Sequence, residues 1–268
     1  MLTKYYQTFQ KYKYLLYDLI SSDFKVKYRR SFLGIAWSML NPIMMMLIMS
    51  AVFSRFMRGS DVKNFYLYLM SGQTAYVFFS DATTSANYSI IEASTLIKKV
   101  YIPKYIFPLE KVLFSFVNSL FSVLAYLIIM VFSPGIRFSF SILLFPVPML
   151  ALLLFSLGMS LILSSICVFF RDMRHLYSVL TMAWMYLTPI IYLRETMSDG
   201  ILGTILVLNP LTWFVEYFRA FLYYIPHNLP VPTPYLQLNL ICFGWGFIVT
   251  LFGVILFQRT QDRFILYI

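Results

Sequence analysis

Phe169-Phe170-Arg171-Asp172-Met173-Arg174-His175 is a short charged knot between two long apolar runs: residues 138–170 hold no Asp, Glu, Lys or Arg, and neither do residues 175–193. A packet of charge this small predicts a tight turn on one face of a bilayer, where the chain reverses. Outward from this turn, further charge-free windows fall at residues 31–54, 64–80, 112–136 and 235–258. The chain is 60% hydrophobic and only 12% charged, with a mean hydropathy of +0.75. A soluble domain usually carries about 25% charge, so this composition places the 268 residues in a membrane rather than in a water-soluble globule.

A helix needs about 20 apolar residues to cross a hydrocarbon core of about 30 Å. That rule predicts an all-α integral membrane protein forming one transmembrane domain with six transmembrane helices, at 31–54, 64–85, 112–136, 146–170, 175–193 and 235–258. The run 138–170 is too long for one crossing and too short for two. Pro146 and Pro148 are therefore expected to open its span, with residues 138–145 irregular or interfacial. Between the fifth and sixth spans, residues 194–234 hold only short apolar pieces, broken by Asn209-Pro210 and closed by Pro226, Pro230, Pro232 and Pro234. They read as two short re-entrant or interfacial helices on the outer face.

Lys and Arg set the orientation. With the N terminus inside, Lys4, Lys11, Lys13, Lys25, Lys27, Arg29, Arg30, Lys98, Lys99, Lys104, Lys111, Arg171, Arg174, Arg259 and Arg263 all lie inside, 15 of the 21 basic residues. Arg55, Arg58, Lys63, Arg137, Arg194 and Arg219 lie outside. Both termini are thus expected in the cytoplasm. The net charge of +10 is spread over segment ends, which fits topology and not nucleic-acid binding. Residues 1–30 carry charge throughout with no long apolar core. No cleavable signal is expected, and the first span would serve as its own insertion signal.

Three basic features share the predicted inner face. In residues 1–30, Tyr5, Phe9, Tyr12, Leu16 and Leu19 recur at helical spacing, which predicts an N-terminal amphipathic interface helix. It can serve as a surface anchor or bind a partner. The following Lys25, Lys27, Arg29 and Arg30 suit anionic headgroups. The loop at 88–106, with Glu92, Leu96, Lys98, Lys99, Tyr101, Pro103 and Lys104, reads either as positive-inside charge or as a docking helix for a cytoplasmic subunit. Arg171, Asp172 and Arg174 can pair with one another or hold a phosphate.

No phosphate-binding loop, zinc-protease motif, nucleophile elbow or Cys/His cluster occurs. Cys167 and Cys242 sit in apolar runs, and His175 and His227 fall on opposite sides of the predicted membrane. No catalytic residue, metal site or bound cofactor is expected. Asp81 is the one acid near a predicted span; it can line a cavity or pair with Arg29 or Arg30. The aromatic content of 19% supplies interfacial belts, and it also supplies faces on which sugars stack.

Several motifs run in order along nearly the whole chain. They are Arg29-Arg30-Ser31-Phe32-Leu33-Gly34-Ile35-Ala36-Trp37 with Asn41-Pro42, then Leu96-Ile97-Lys98-Lys99-Val100-Tyr101-Ile102-Pro103-Lys104 with Phe107-Pro108-Leu109. Phe169-Phe170-Arg171-Asp172 leads on to Thr188-Pro189-Ile190-Ile191-Tyr192, and Asn209-Pro210-Leu211 follows. Together they resemble the membrane-spanning permease subunit of ABC-type polysaccharide exporters, the O-antigen, teichoic acid and capsule family. The resemblance implies a homodimer with two copies of a separate cytoplasmic ATPase, which binds ATP and Mg. It implies a polysaccharide on an undecaprenyl pyrophosphate-type lipid, exported across the bacterial cytoplasmic membrane.

By the same resemblance, the 90–104 loop is the coupling helix. Lys25, Lys27, Arg29, Arg30, Arg171, Asp172 and Arg174 lie at a lipid-headgroup entrance. Trp37, Phe78, Phe79, Asp81, Tyr186 and Tyr192 are candidates for lining a channel. Other classes remain open at this point: an ABC permease for a smaller substrate, a membrane-embedded glycan or lipid transferase, or a channel with no ATPase.

Overall fold

The computed structural model describes residues 2–29, 31–53, 64–136, 140–194 and 200–268. Arg30, Arg55, Arg58, Lys63 and Arg137 lie outside the described residues. Ten α-helices and no strand occur among the described residues. They are α1 (Leu2–Lys27), α2 (Trp37–Phe53), α3 (Phe65–Glu92), α4 (Ser94–Lys99), α5 (Ile106–Val131), α6 (Pro146–Phe169), α7 (Met173–Tyr186), α8 (Gly200–Leu208), α9 (Pro210–Arg219) and α10 (Tyr235–Thr260). Short 3₁₀ turns lead into α2 and α6 and follow α10.

Among the described residues, three stretches are long and apolar enough to cross a membrane: Ile106–Val131, Ile142–Phe169 and Tyr235–Leu266. A fourth is the pair Gly200–Leu208 and Pro210–Tyr224, bent by 76° at Asn209. Helix α2 is apolar but short, and Pro42 lies inside it.

The longest helix, α3, is less apolar than α5, α6 and α10, and it occupies the centre. It packs against α2, α5, α6, α7 and α9. Its polar side chains return hydrogen bonds to their own helix: Ser71 to the Tyr68 carbonyl, Thr74 to Met70, Thr83 to Phe79 and Ser89 to Ala86, at 2.7–2.8 Å. Polar groups that would be costly against hydrocarbon are thereby satisfied or enclosed by protein. The more apolar α10 needs no such cover, and most of its length is exposed.

Two sequence windows fold differently from a simple span. The run 175–193 is helical only to Tyr186, where Thr188-Pro189 stops it; proline bars the preceding residue from helical geometry. The loop at 88–106 is not one helix. α3 continues to Glu92, α4 covers only six residues, and Val100 turns extended ahead of Ile102-Pro103. Two separate cores result. The larger surrounds α3; the smaller gathers Leu16, Ile90, Ile97, Ile102, Phe107, Val168, Phe257 and Phe264 at the α4 end.

The closest helix pair, α6 and α10, depends on glycine. A Cβ on Gly158 would lie 2.4 Å from the Thr250 backbone nitrogen, and one on Gly253 would lie 2.5 Å from the Gly158 carbonyl oxygen. Backbone cannot step aside as a side chain can, so small residues here set the approach of the two helices. Gly158→Ala is expected to destabilise the protein by about 1–3 kcal/mol, read as a lowered thermal midpoint in detergent. Gly244→Ala, where nothing lies within 4 Å of the new Cβ, should leave the midpoint unchanged or raise it.

Candidate functional site: a charged cleft beside α1

Two adjoining cavities lie between the end of α1, the start of α2, and the facing sides of α3 and α5. One, of about 320 Å³, is lined by Tyr28, Trp37, Ser38, Asn41, Gln73 and Val77 among others. The second, of about 440 Å³, is lined by Asp23, Tyr88, Glu92, Lys111, Ser115 and Arg174 among others. Lys27, Asp81 and Asn118 belong to both, so the two form one cleft along α3.

Its chemistry changes along its length. At the α4 end it is ionic. Lys111 of α5 bonds Asp23 of α1 and stands 3.4 Å from the buried Glu110 carboxylate. Phe24 packs on Phe114 at 4.6 Å one turn further, fixing α1 to α5. Lys27 lies over the Tyr28 and Phe114 rings at 5.6 and 5.3 Å, and with Asp81 it lines both cavities. Arg174, at the first turn of α7, covers the Tyr88 ring at 4.5 Å. Farther along, charge gives way to neutral polar groups. Ser38 donates to the Asn118 side-chain oxygen at 2.8 Å, and the Tyr28 hydroxyl contacts both. Such a gradient can hold an anionic group at one end and hydroxyl-rich or apolar matter beyond it.

The sequence-picked residues divide accordingly. Lys27, Arg174, Asp81 and Trp37 are brought together in the cleft. Lys25 and Arg29 are exposed near the end of α1. Arg171 and Asp172 sit in the exposed 170–172 turn but do not line the cleft; Arg171 donates instead to the Tyr267 carbonyl at 3.3 Å. Asp81 lines the cleft together with Lys27, and Arg29 does not line it. Phe78 and Phe79 are both buried: Phe78 packs on Phe116 at 5.8 Å, and Phe79 on Phe155 and Trp184 at 5.4 and 5.5 Å, so within this chain they fill the core. Tyr186 is exposed, and Tyr192 donates to its carbonyl at 3.2 Å.

In the 88–106 loop, Ile97 and Ile102 turn into the smaller core, while Glu92, Lys98, Lys99 and Tyr101 face outward, Tyr101 being 91% exposed. The Tyr101 carbonyl accepts from Tyr12 of α1 at 3.2 Å. Leu96 and Pro103 are half-buried. Lys104 turns inward. It donates to the Gln261 carbonyl, and burial lowers its amine below the ordinary lysine value against the raising influence of Asp262.

Asp23, Tyr88, Lys111 and Asn118 escaped the sequence reading. Lys111 counted only as loop charge; a signal for Asn118 was available, since it is a lone amide in an apolar run.

At the opposite end, the motifs 188–192 and 209–211 meet. The Asn209 side chain accepts from Trp184 Nε1 at 2.8 Å and from the Leu211 amide at 3.0 Å, capping α9, and donates to the Leu187 carbonyl at 3.1 Å. Buried Arg219 donates to the Pro189 and Ile190 carbonyls, each at 2.7 Å, and covers the Tyr68 ring at 3.7 Å. Glu216 nearby pairs with Arg194 at 2.6 Å and accepts from Thr233. These residues close a structural network.

An ABC-2 type transporter family profile matches residues 14–223, and the chain belongs to that family. It is therefore a multi-pass membrane protein, and its family implies pairing with an ATPase subunit. The O-antigen export system permease protein RfbA of Myxococcus xanthus is 31% identical over 229 residues, 85% of this chain and 86% of that protein. An RfbA permease of the same description from Klebsiella pneumoniae is 29% identical over 253 residues, 93% of each chain.

Lys111 bonds Asp23 and lies beside the buried Glu110, so Lys111→Met is expected to cost about 1–3 kcal/mol by removing their polar partner. Lys111→Met combined with Asp23→Asn and Glu110→Gln should recover much of that loss. Thermal midpoints of the purified variants, compared as a cycle, check this.

Proposed function

We propose that this chain is the permease of an ATP-driven exporter that carries a lipid-linked polysaccharide, of the undecaprenyl pyrophosphate type, from the inner to the outer face of the bacterial cytoplasmic membrane. The observation that carries this reading is the cleft: ionic where α1 meets α5, neutral and aromatic beyond, in a chain similar over most of its length to O-antigen export permeases. A pyrophosphate cannot enter hydrocarbon unaided. Lys27 and Arg174 supply cations for it at the α4 end, with Lys25, Arg29 and Arg171 as the approach.

In this reading both termini and α4 are cytoplasmic. The chain crosses six times, by α2, α3, α5, α6, α7 with its following turn, and α10. The bent α8–α9 pair is re-entrant from the outer face, and its Asn209 and Arg219 donate to the Leu187, Pro189 and Ile190 carbonyls freed at the end of α7. The working unit is a homodimer with two ATPase copies, which hold ATP and Mg; this chain performs no chemistry itself. Helices α2 and α7 support the dimer. Both leave apolar and aromatic side chains exposed, including Trp37, Met44, Leu47, Leu176, Val179 and Tyr186. Two copies facing across these helices would enclose a wide path poor in charge, suited to a glycan.

The ATPase docks on the outward face of Lys98, Lys99 and Tyr101. Its closure on ATP shifts α4 and the helices attached to it as rigid bodies. Lys98→Glu with Lys99→Glu is expected to abolish export and separate it from ATP hydrolysis while membrane insertion stays normal. Surface glycan staining and ATPase assays on the same membranes measure both, and normal export in that variant would overturn the docking assignment.

A further inference from the structure

We infer that residues 261–268 form a strut that joins the far end of the α4 loop to the 170–172 turn, and that export requires it. The inference rests on the docking reading above and adds a part to it. Helix α4 has two ends. One is continuous with α3 through Ala93. The other runs through extended Val100 and the non-helical residues 101–103 to Lys104, and such a segment alone is a poor transmitter of a push.

The 3₁₀ turn Gln261–Leu266 meets that end. Lys104 donates to the Gln261 carbonyl and lies 5.7 Å from the centre of the Phe264 ring. Phe264 is fully buried, 5.4 Å from Phe257 of α10 and 5.9 Å from Phe169 of α6. Phe169 in turn packs on Tyr267 at 4.9 Å, and Arg171 donates to the Tyr267 carbonyl. One short segment thus grips the exit of the α4 loop, the last turns of α6 and α10, and the turn from which α7 starts. A lever held at one point swivels; held at two, it displaces what it carries. Close-packed rings pass such a displacement on rather than absorbing it.

The test co-expresses the full chain with its ATPase in the glycan-exporting host. Three quantities are measured: ATPase recovered per permease in mild detergent, ATP turnover of the purified pair, and surface glycan. Phe264→Ala and Lys104→Met are each expected to retain the ATPase and its turnover while export falls about tenfold, the size of an ordinary coupling loss. Phe264→Leu, which refills the space between the rings, should restore most of the export. If Phe264→Ala accumulates poorly, Lys104→Met decides alone, because that side chain is partly exposed and its stem remains. ATPase recovery and export falling in parallel would overturn the strut, since the segment would then merely seat α4; unchanged export would overturn it equally. Absence of any ATPase with the unaltered chain would overturn the exporter reading itself, and the strut with it.

Discussion

The need to enclose α3 governs the rest of the structure. Its 28 residues include Gln73, Thr74, Ser80, Asp81, Thr83, Thr84, Ser85, Asn87 and Ser89, too polar to face lipid along its length. Local hydroxyl-to-carbonyl bonds neutralise part of this cost, and neighbouring helices cover the remainder. The covering explains which helices are allowed to be exposed. α10 and much of α7 carry the apolar surface outward because they are the outer layer around a polar centre. It also explains where the cleft lies. One side of α3, carrying Gln73, Asp81, Thr84 and Tyr88, is left partly uncovered between α2 and α5, and the ionic groups collect there.

That uncovered side is chemically polarised because its ends are built differently. Near α4 cations and acids are equal in number along the cleft: Lys27, Lys111 and Arg174 line it with Asp23, Asp81 and Glu92, and Lys111 is the one that pairs with Asp23 and with the neighbouring Glu110. Lys27 and Arg174 rest on aromatic rings instead, an arrangement that keeps a cation in place without cancelling its charge. Farther along, amides, hydroxyls, Trp37 and apolar side chains such as Met45, Met70 and Val77 line it. An anion held at the ionic end would leave its attached apolar or hydroxylated part in the neutral end, with no charge to shed on the way.

How legible this was depended on the kind of signal. Charge-free windows located the helices, because hydropathy is a property of segments; the helix starting at Pro146 and the reversal at 170–172 both follow from single prolines and a single charge packet. Helix ends were less readable. The run 175–193 shows no charge to mark the stop at Tyr186, which depends on Pro189 and on carbonyls taken up by Arg219 from 29 and 30 residues away. Facing was unreadable. Phe78 and Phe79 sit in a sequence as aromatic as any channel wall, yet α5, α6 and α7 close over them. The cleft itself joins residues up to about 150 positions apart, from Asp23 to Arg174, and no local pattern encodes that meeting.

Helix α7 shows what these constraints achieve jointly. Asn87 donates to the Met173 carbonyl at 3.3 Å, Tyr177 donates to Thr83 at 2.7 Å, the Tyr76 hydroxyl bonds the Thr181 carbonyl, and Trp184 donates to Asn209. These bonds recur about once per turn, so α7 lies antiparallel along α3 as a rod of roughly 21 Å, fixed from base to tip. Only Tyr177 and Thr181 are buried to achieve this; the remaining face is free for lipid or a second subunit. A rod attached along one line and bare on the other cannot bend without breaking its rungs, each of which would leave a polar group unpaired in an apolar surround. Motion at its base would therefore be costly to absorb within α7 and would bear on Asn209, which Trp184 bonds at its far end.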